Sequence, residues 1–404
     1  MQYSTFAAID IGSYDVILEI FEISKKQGIR SVDKICHRME LGKDTYTLGK
    51  IRPEMEEELC RVLADFVRIM EGYRVDAYRA MASSAISEAA NSLYVLGKIR
   101  QLTGLSVTVL SNSEQRFLGY KALAAMEDNF NKIIEKGTAI LDLDGGSFQI
   151  SLFDKDALVT TQNIRMGSLR VRERLAGIQS ETEHYEEMVE ELIWNEVSSF
   201  KKMYLKDRKI ENIMLIGDVF TDSVYQNIEE KTTKIISREN FNTWYEKIIR
   251  QSPMELAVKL GIPLENASLM YPSAVIYKCL IDMMGAEHIW IPGVHMTRGI
   301  AYEYAEQMKL LKGGHNFEND ILMAAKNIGK RYAVNRPHVQ NLEMTALAMF
   351  DATKKMHGMK ERERLLLQMA VMLHDVGKYI SFNNVADSSY NIITVSYTHL
   401  RAHE

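Results

Sequence analysis

Two stretches of the chain share one arrangement of apolar and polar positions. Residues 7–21 read AAIDIGSYDVILEIF and residues 139–153 read AILDLDGGSFQISLF. Each runs from an apolar strand through an Asp and a turn of small residues into an alternating strand that closes on Phe. The match is gapless: Asp10 and Asp142 each stand 11 positions before the closing Phe and lie 132 residues apart. That spacing exceeds any solenoid period. It predicts two similar lobes, each opening with a β-hairpin.

Helix and strand patterns alternate between and after the hairpins. Pro53 opens a helix that runs to about Gly72, with Met55, Leu59, Val62, Leu63, Phe66 and Ile69 at 3.6-residue spacing. Residues 77–81 form a short strand pattern ending at Ser83-Ser84, and residues 107–110 form another, followed by a helix from about Ser113. Residues 213–216 form a strand that ends at Gly217-Asp218. Such alternation predicts an α/β fold. From about Gly314 the texture becomes helix after helix, with amphipathic patterns over residues 338–356 and 361–374. Gly313-Gly314 marks a linker. The expected domains are residues 1–122 and 123–305 as two lobes and residues 314–394 as a helical domain.

Composition narrows the class. Of 404 residues, 46% are apolar and 25% charged, which is ordinary for a globular chain and argues against large-scale disorder. There are 49 basic and 54 acidic residues, a net charge of −5. A nucleic-acid partner is therefore not expected, and any polyanion must meet a local basic patch. No run approaches the roughly 18 apolar residues of a membrane span, and Asp10 interrupts the first apolar run. Cys36, Cys60 and Cys279 are too scattered for a disulfide framework or a zinc ribbon. The expectation is a cytoplasmic protein with no membrane partner.

The last ten residues, VSYTHLRAHE, match the in-frame translation of a sequencing-library transposon adapter. Residues 395–404 are therefore expected to be foreign, the natural chain is expected to continue past Thr394, and the segment is set aside. Leu365, Leu366, Met369 and Met372 are then expected to form an uncovered apolar stripe.

The two turns are the first candidates for chemistry. Asp10 precedes Ile11-Gly12-Ser13, and Asp142 precedes Leu143-Asp144-Gly145-Gly146-Ser147. Glycines allow close approach of an anion to free backbone N–H groups, and a nearby carboxylate can hold a divalent cation that bridges to it. Ser111-Asn112-Ser113-Glu114 is a helix start, so Glu114 serves either as a cap or as a general base at the mouth of a cleft. His338 with His374-Asp375 suits a divalent metal centre. The same dipeptide also closes a helix well, which leaves a packing or homodimerisation module as the other reading.

Together these residues resemble the exopolyphosphatase/guanosine pentaphosphate phosphohydrolase (Ppx/GppA) family, within the actin–Hsp70–sugar kinase fold. The family's first signature is similar to Asp10-Ile11-Gly12-Ser13, and its Asp-x-Gly-Gly-Gly-Ser-Thr-Glu to residues 142–149. Its Ala-Thr-Ser-Ala-x-Arg-Glu-Ala resembles residues 82–89, and its catalytic Glu falls on Glu114. Met166-Gly167-Ser168-Leu169-Arg170, Met270-Tyr271-Pro272-Ser273-Ala274 and Ile289-Trp290-Ile291-Pro292-Gly293-Val294 also match.

The resemblance implies a two-lobed actin-like α/β fold followed by an all-α HD-like domain. It implies hydrolysis of a terminal phosphoanhydride of polyphosphate or guanosine pentaphosphate, with Glu114 activating water. Gly12, Ser13, Gly145, Gly146 and Ser147 would hold phosphoryl oxygens, while Asp10 and Asp142 would place Mg²⁺. In the HD-like part, His338, His374 and Asp375 would be the metal ligands. Departures favour a different reading, a degenerate sensor or scaffold. Tyr14-Asp15 replaces Asn-Ser, Asp144 a Gly, Ser87 an Arg and Gln149 a Glu, and Val385 stands where the HD-like pattern has His. Each of the first four weakens polyanion binding.

Overall fold

The computed structural model describes residues 3–126, 130–176, 185–205, 208–217, 219–227, 235–311 and 315–396. Asp218, Gly313-Gly314 and residues 397–404 lie outside them, whereas Val395 and Ser396 end the helix Val385–Ser396.

Two sheets organise the first three hundred residues. The first contains β1 (Ser4–Ile11), β2 (Asp15–Ser24), β3 (Gly28–Arg38), β4 (Ala77–Ala82) and β5 (Val107–Val109), in the order β3-β2-β1-β4-β5. The second contains β6 (Thr138–Leu143), β7 (Phe148–Asp154), β8 (Ala157–Ile164), β9 (Asn212–Ile216), β10 (Ile235–Ser237) and β11 (His288–Trp290), in the order β10-β11-β9-β6-β7-β8. In each, a three-stranded antiparallel meander is extended by two parallel strands, with β10 added antiparallel at the edge of the second sheet, so β1 with β4 corresponds to β6 with β9. The register obeys the 132-residue offset: Ala7 pairs with Ile20, and Ala139 with Leu152. The turns obey it too, since Gly12 N–H donates to Asp15 O and Asp144 N–H to Ser147 O, both at 2.9 Å. By that correspondence Asp144 occupies the place of Gly12, and Gly145 that of Ser13.

On the sequence, residues 296–305 are expected in the second lobe. In the structure the helix Met296–Gln307 returns to the first sheet. Ile300, Ala301 and Ala305 pack with Phe6, Ala8, Phe21, Ile23 and Leu118, and Tyr304 stacks on Phe6 at 4.2 Å between ring centroids. This helix crosses the helix Asn112–Met126 at Gly299, where any Cβ would overlap the Leu118 carbonyl. The periodicity of residues 296–307 signals a helix but says nothing of which sheet it joins.

The C-terminal helices pack on the second lobe. The helix Phe317–Arg331 lies along β8, and Phe317, Ala324, Ala325 and Ile328 share a core with Phe130, Phe153 and Leu158. A buried pair, His315 Nε2 to Asp320 Oδ2 at 2.7 Å, fixes the junction, and Asp320 Oδ1 accepts the Leu158 N–H at 3.2 Å. The expected apolar stripe is mostly covered. Met369 and Met372 are buried in this core, Leu365 packs against it, and only Leu366 is exposed. Helix Phe317–Arg331 supplies the cover that the sequence reading assigned to missing segments. Among the described residues, no helix is long and apolar enough to cross a membrane.

The helix crossing generates a paired test. Gly299→Ala should lower stability by about 1–3 kcal/mol, because the new methyl meets backbone that must shift. Gly97→Ala, in the open interior of the helix Ser92–Thr103 with nothing within 4 Å, should raise it by about 0.5–1 kcal/mol. Urea unfolding midpoints of the two variants check both signs.

Candidate active site

The strands β1 and β6 deliver Asp10 and Asp142 to the same place, because their hairpin turns face each other. The turns touch: a Cβ on Gly145 would lie 3.3 Å from Ser13 Cβ. Beside this contact is an interlobe cavity of about 380 Å³. Its lining includes Asp10, Gly12, Asp15, Gln115, Asp142, Asp144 and Gly145.

The cavity gathers negative charge. Burial raises the pKa of all four aspartates above the ordinary range. Asp10 is raised well above it, with Asp15, Asp144 and Asp142 adding to the effect. Asp15 is pushed up to about 6, with Asp144 contributing and a hydrogen bond from Cys36 opposing. Asp142 is pushed up to about 7, with Asp144 contributing and Arg116 opposing. Asp144 is raised too, against hydrogen bonds from Gly145 N–H and Gln115.

These residues fit a divalent cation. Asp142 Oδ2 and Gln149 Oε1 are buried acceptors without a partner, and the two residues face each other across β6 and β7. Unsatisfied buried oxygens are costly, and a cation with its water would relieve them. No closed cage exists here: among the described residues, the one set of three side chains with ligand atoms within 4.8 Å is His338, His374 and Asp375. An open site suits an ion that keeps several waters and binds through one or two carboxylates and a phosphate.

The expected phosphate cradle is divided. Gly12 and Gly145 line the cavity, but the Gly145 N–H already donates to Asp144 Oδ1 at 2.6 Å. Ser13 and Gly146 face a hydroxyl cluster, and Ser147 is buried and does not line the cavity. Tyr46 Oη is 2.6 Å from Ser13 Oγ and 2.8 Å from Ser84 Oγ, and a Cβ on Gly146 would overlap it. Arg170 lies 3.9 Å over the Tyr46 ring, donates to Gly146 O at 2.9 Å and pairs with Glu88 at 3.0 Å. Arg172 pairs with Glu40 at 2.9 Å. Both arginines come from the second-lobe helix Ser168–Leu175 and reach first-lobe acids, so they clasp the lobes. Sequence reasoning missed Tyr46, whose sequence neighbourhood carries no motif.

Glu114 does not line this cavity. Its carboxylate accepts from Ser111 N–H at 2.7 Å and Ser111 Oγ at 2.8 Å, while its own N–H donates to Ser111 Oγ. That is a reciprocal cap, and Glu114 borders a separate pocket with Tyr78, Arg79 and Glu303. The next residue, Gln115, faces the cleft, with Nε2 3.4 Å from Asp144 Oδ2. One residue along a helix rotates the side chain by about 100°, and residue spacing alone did not resolve that step.

In the helical domain the three expected ligands do converge. His374 Nδ1 donates to Val371 O at 2.7 Å, which leaves Nε2 for a ligand, 3.2 Å from Asp375 Oδ1. The His338 and His374 rings lie 5.8 Å apart. Lys378 Nζ holds Asp375 Oδ2 at 2.6 Å.

Two matching sheets with facing acidic turns, followed by helices, define an actin-like two-lobed α/β protein with a C-terminal helical domain. The chain belongs to the Ppx/GppA phosphatase family: residues 20–308 match that family, and residues 322–399 match Ppx/GppA phosphatase, domain III. It is 19% identical over 394 residues to a guanosine-5'-triphosphate,3'-diphosphate pyrophosphatase of Photobacterium profundum, covering 96% of this chain and 75% of that one. It is 21% identical over 310 residues to a bifunctional 3-dehydroquinate synthase/phosphatase of Fusobacterium nucleatum, covering 70% of this chain and 44% of that protein. Among solved structures, an exopolyphosphatase from Cytophaga hutchinsonii aligns with a TM-score of 0.67 at 16% identity, over 75% of this chain and 98% of that one. The Aquifex aeolicus Ppx/GppA family member aligns with a TM-score of 0.62 at 17% identity, over 76% and 99%.

The raised aspartate pKa values set a sign for stability. An acid that is harder to ionise when folded favours folding fully below its ordinary pKa of 3.8. That contribution is lost as pH rises through the folded values, about 6 for Asp15 and about 7 for Asp142. Asp144→Asn should therefore raise the melting temperature at pH 8 by roughly a few degrees and change it little at pH 4. Thermal melts at the two pH values, with and without Mg²⁺, give the comparison, and Mg²⁺ should stabilise the parent protein chiefly at pH 8.

Proposed function

We propose that the interlobe cleft takes a phosphoanhydride, in polyphosphate or guanosine pentaphosphate, together with a divalent cation, and hydrolyses its terminal bond. The observation that carries this reading is the convergence of Asp10, Asp15, Asp142 and Asp144 at facing turns, a site that repels a bare phosphate and accepts a metal complex. Asp10 and Asp142 would hold Mg²⁺, which supplies neutralisation of charge on the phosphoryl oxygens. The Gly12 side of the cleft leaves room for those oxygens. Gln115, with an amide donor and acceptor, orients the attacking water rather than deprotonating it. Phosphoryl transfer depends mostly on positioning and charge stabilisation, so an amide in this place is compatible with turnover.

Phosphate release from polyphosphate with Mg²⁺ tests the reading. Gln115→Glu, which puts a carboxylate at the cleft, should raise kcat at least about tenfold, since a placed general base contributes about 10²–10⁴-fold. Glu114→Gln should cost less activity than Gln115→Ala. The reverse order would return the general-base role to Glu114, and no release by any variant would favour a sensor or scaffold.

A second reading rests on His338, His374 and Asp375. We infer that the helical domain binds one divalent ion there, because His374 is pre-oriented by Val371 and all three ligand atoms lie within 4.8 Å of one another. Metal analysis of the purified protein should find the ion, and His374→Ala should lose it without loss of cleft binding.

A further inference from the structure

The cleft has a second wall of opposite sign. Strand β3 pairs with β2 so that Arg38 faces Asp15, Cys36 faces Ile17 and Lys34 faces Glu19. Paired residues share a sheet face, so Lys34, Cys36 and Arg38 stand on the face that carries Asp15 and Ile17 into the cavity. All three line that cavity, and Lys34 and Arg38 are its only Lys or Arg among the described residues. Lys34 lies close enough to temper the pKa of Asp10 and Asp15, and Arg38 that of Tyr14 and Cys36.

Among the described residues, neither Lys34 nor Arg38 makes a side-chain hydrogen bond or ion pair. The arginines near the turns differ. Arg170 and Arg172 are spent on Glu88 and Glu40, and Arg116 is buried against Ser113 and Thr161. The cavity is thus acidic where the turns meet and cationic along β3.

We propose that Lys34 and Arg38 extend the binding site, holding the phosphates of a linear chain beyond the one that reacts. The two positions are four residues apart on an extended strand, about 13 Å. Lys34 stands beside Asp10 and Asp15 and Arg38 beside Tyr14 and Cys36, so a chain of three or more phosphates leading away from the turns meets more positive charge along this wall than a short anhydride does. Cations on an edge strand also discourage strand pairing, and β3 is an edge. That role does not require both to face a cavity, as these do.

This inference rests on reading the cleft as a phosphoanhydride site, and the test separates the two. The full chain and its Lys34→Gln/Arg38→Gln variant are titrated calorimetrically with pyrophosphate and with a long linear polyphosphate, each with Mg²⁺, at low and high salt. The parent should bind the long chain at least about tenfold more tightly than pyrophosphate at low salt, and less so at high salt. The variant should lose most of that preference. A Lys34→Arg/Arg38→Lys exchange, which keeps both charges, should retain it. If the variant keeps the preference, the two cations only guard the sheet edge and the proposal falls. If the parent binds neither ligand, the phosphoanhydride reading itself fails, and the proposal with it.

Discussion

Like charges held together out of water are the constraint on which this site depends. Four aspartates reach one cleft because two hairpins of the same design meet turn to turn. Burial then raises all of their pKa values, and repulsion from neighbouring aspartates adds to it at Asp10, Asp15 and Asp142. The compensation visible within the chain is partial: Arg116 beneath Asp142, Lys34 beside Asp10 and Asp15, and amide donors on Asp144. What is left over is a demand for positive charge at the place where a phosphoryl group would arrive. The orphan oxygens of Asp142 and Gln149 mark the same demand in hydrogen-bond terms.

A second feature limits how that demand is met. The hydroxyls of Tyr46, Ser13 and Ser84 occupy half of the expected cradle, and Asp144 occupies the Gly145 amide. Arg170 holds Tyr46 in place through its ring while clasping Glu88. The residues that would otherwise neutralise a phosphate are therefore used to join the lobes. The polar cavity wall that remains includes Gly12, Gln115, the aspartates and the β3 cations.

Much of the fold was legible in the sequence because hydrophobic periodicity and the hairpin repeat are local. The offset between Asp10 and Asp142 foretold two similar lobes, each opening with a hairpin. Strand β3 was not expected, since a half-exposed, charge-bearing strand lacks an apolar run, and neither was β8, whose Thr160-Thr161-Gln162-Asn163 interrupts its apolar positions. Residues 296–305 were expected in the second lobe but pack on the first sheet, because the partner of a segment is a matter of chain path. The site was legible to the level of the turn but not the side chain. Asp10, Asp142, Gly12 and Gly145 reach the cleft, whereas Glu114 caps its helix and Gln115 takes its expected place. Residue spacing identifies a helix start readily, but a base and its neighbour differ only in which way they point.

The crossing at Gly299 has a mechanical consequence. There the helix Met296–Gln307 rests on the Leu118 carbonyl with no side chain between. Sliding one helix along the other would drive a neighbouring side chain into that carbonyl. Swivelling about the contact meets no such obstacle. Both helices share the core of the first sheet with Phe6, Ala8 and Phe21, so the crossing joins them into one packed unit with that sheet, and Arg170 and Arg172 meet the acids of that lobe from the other side.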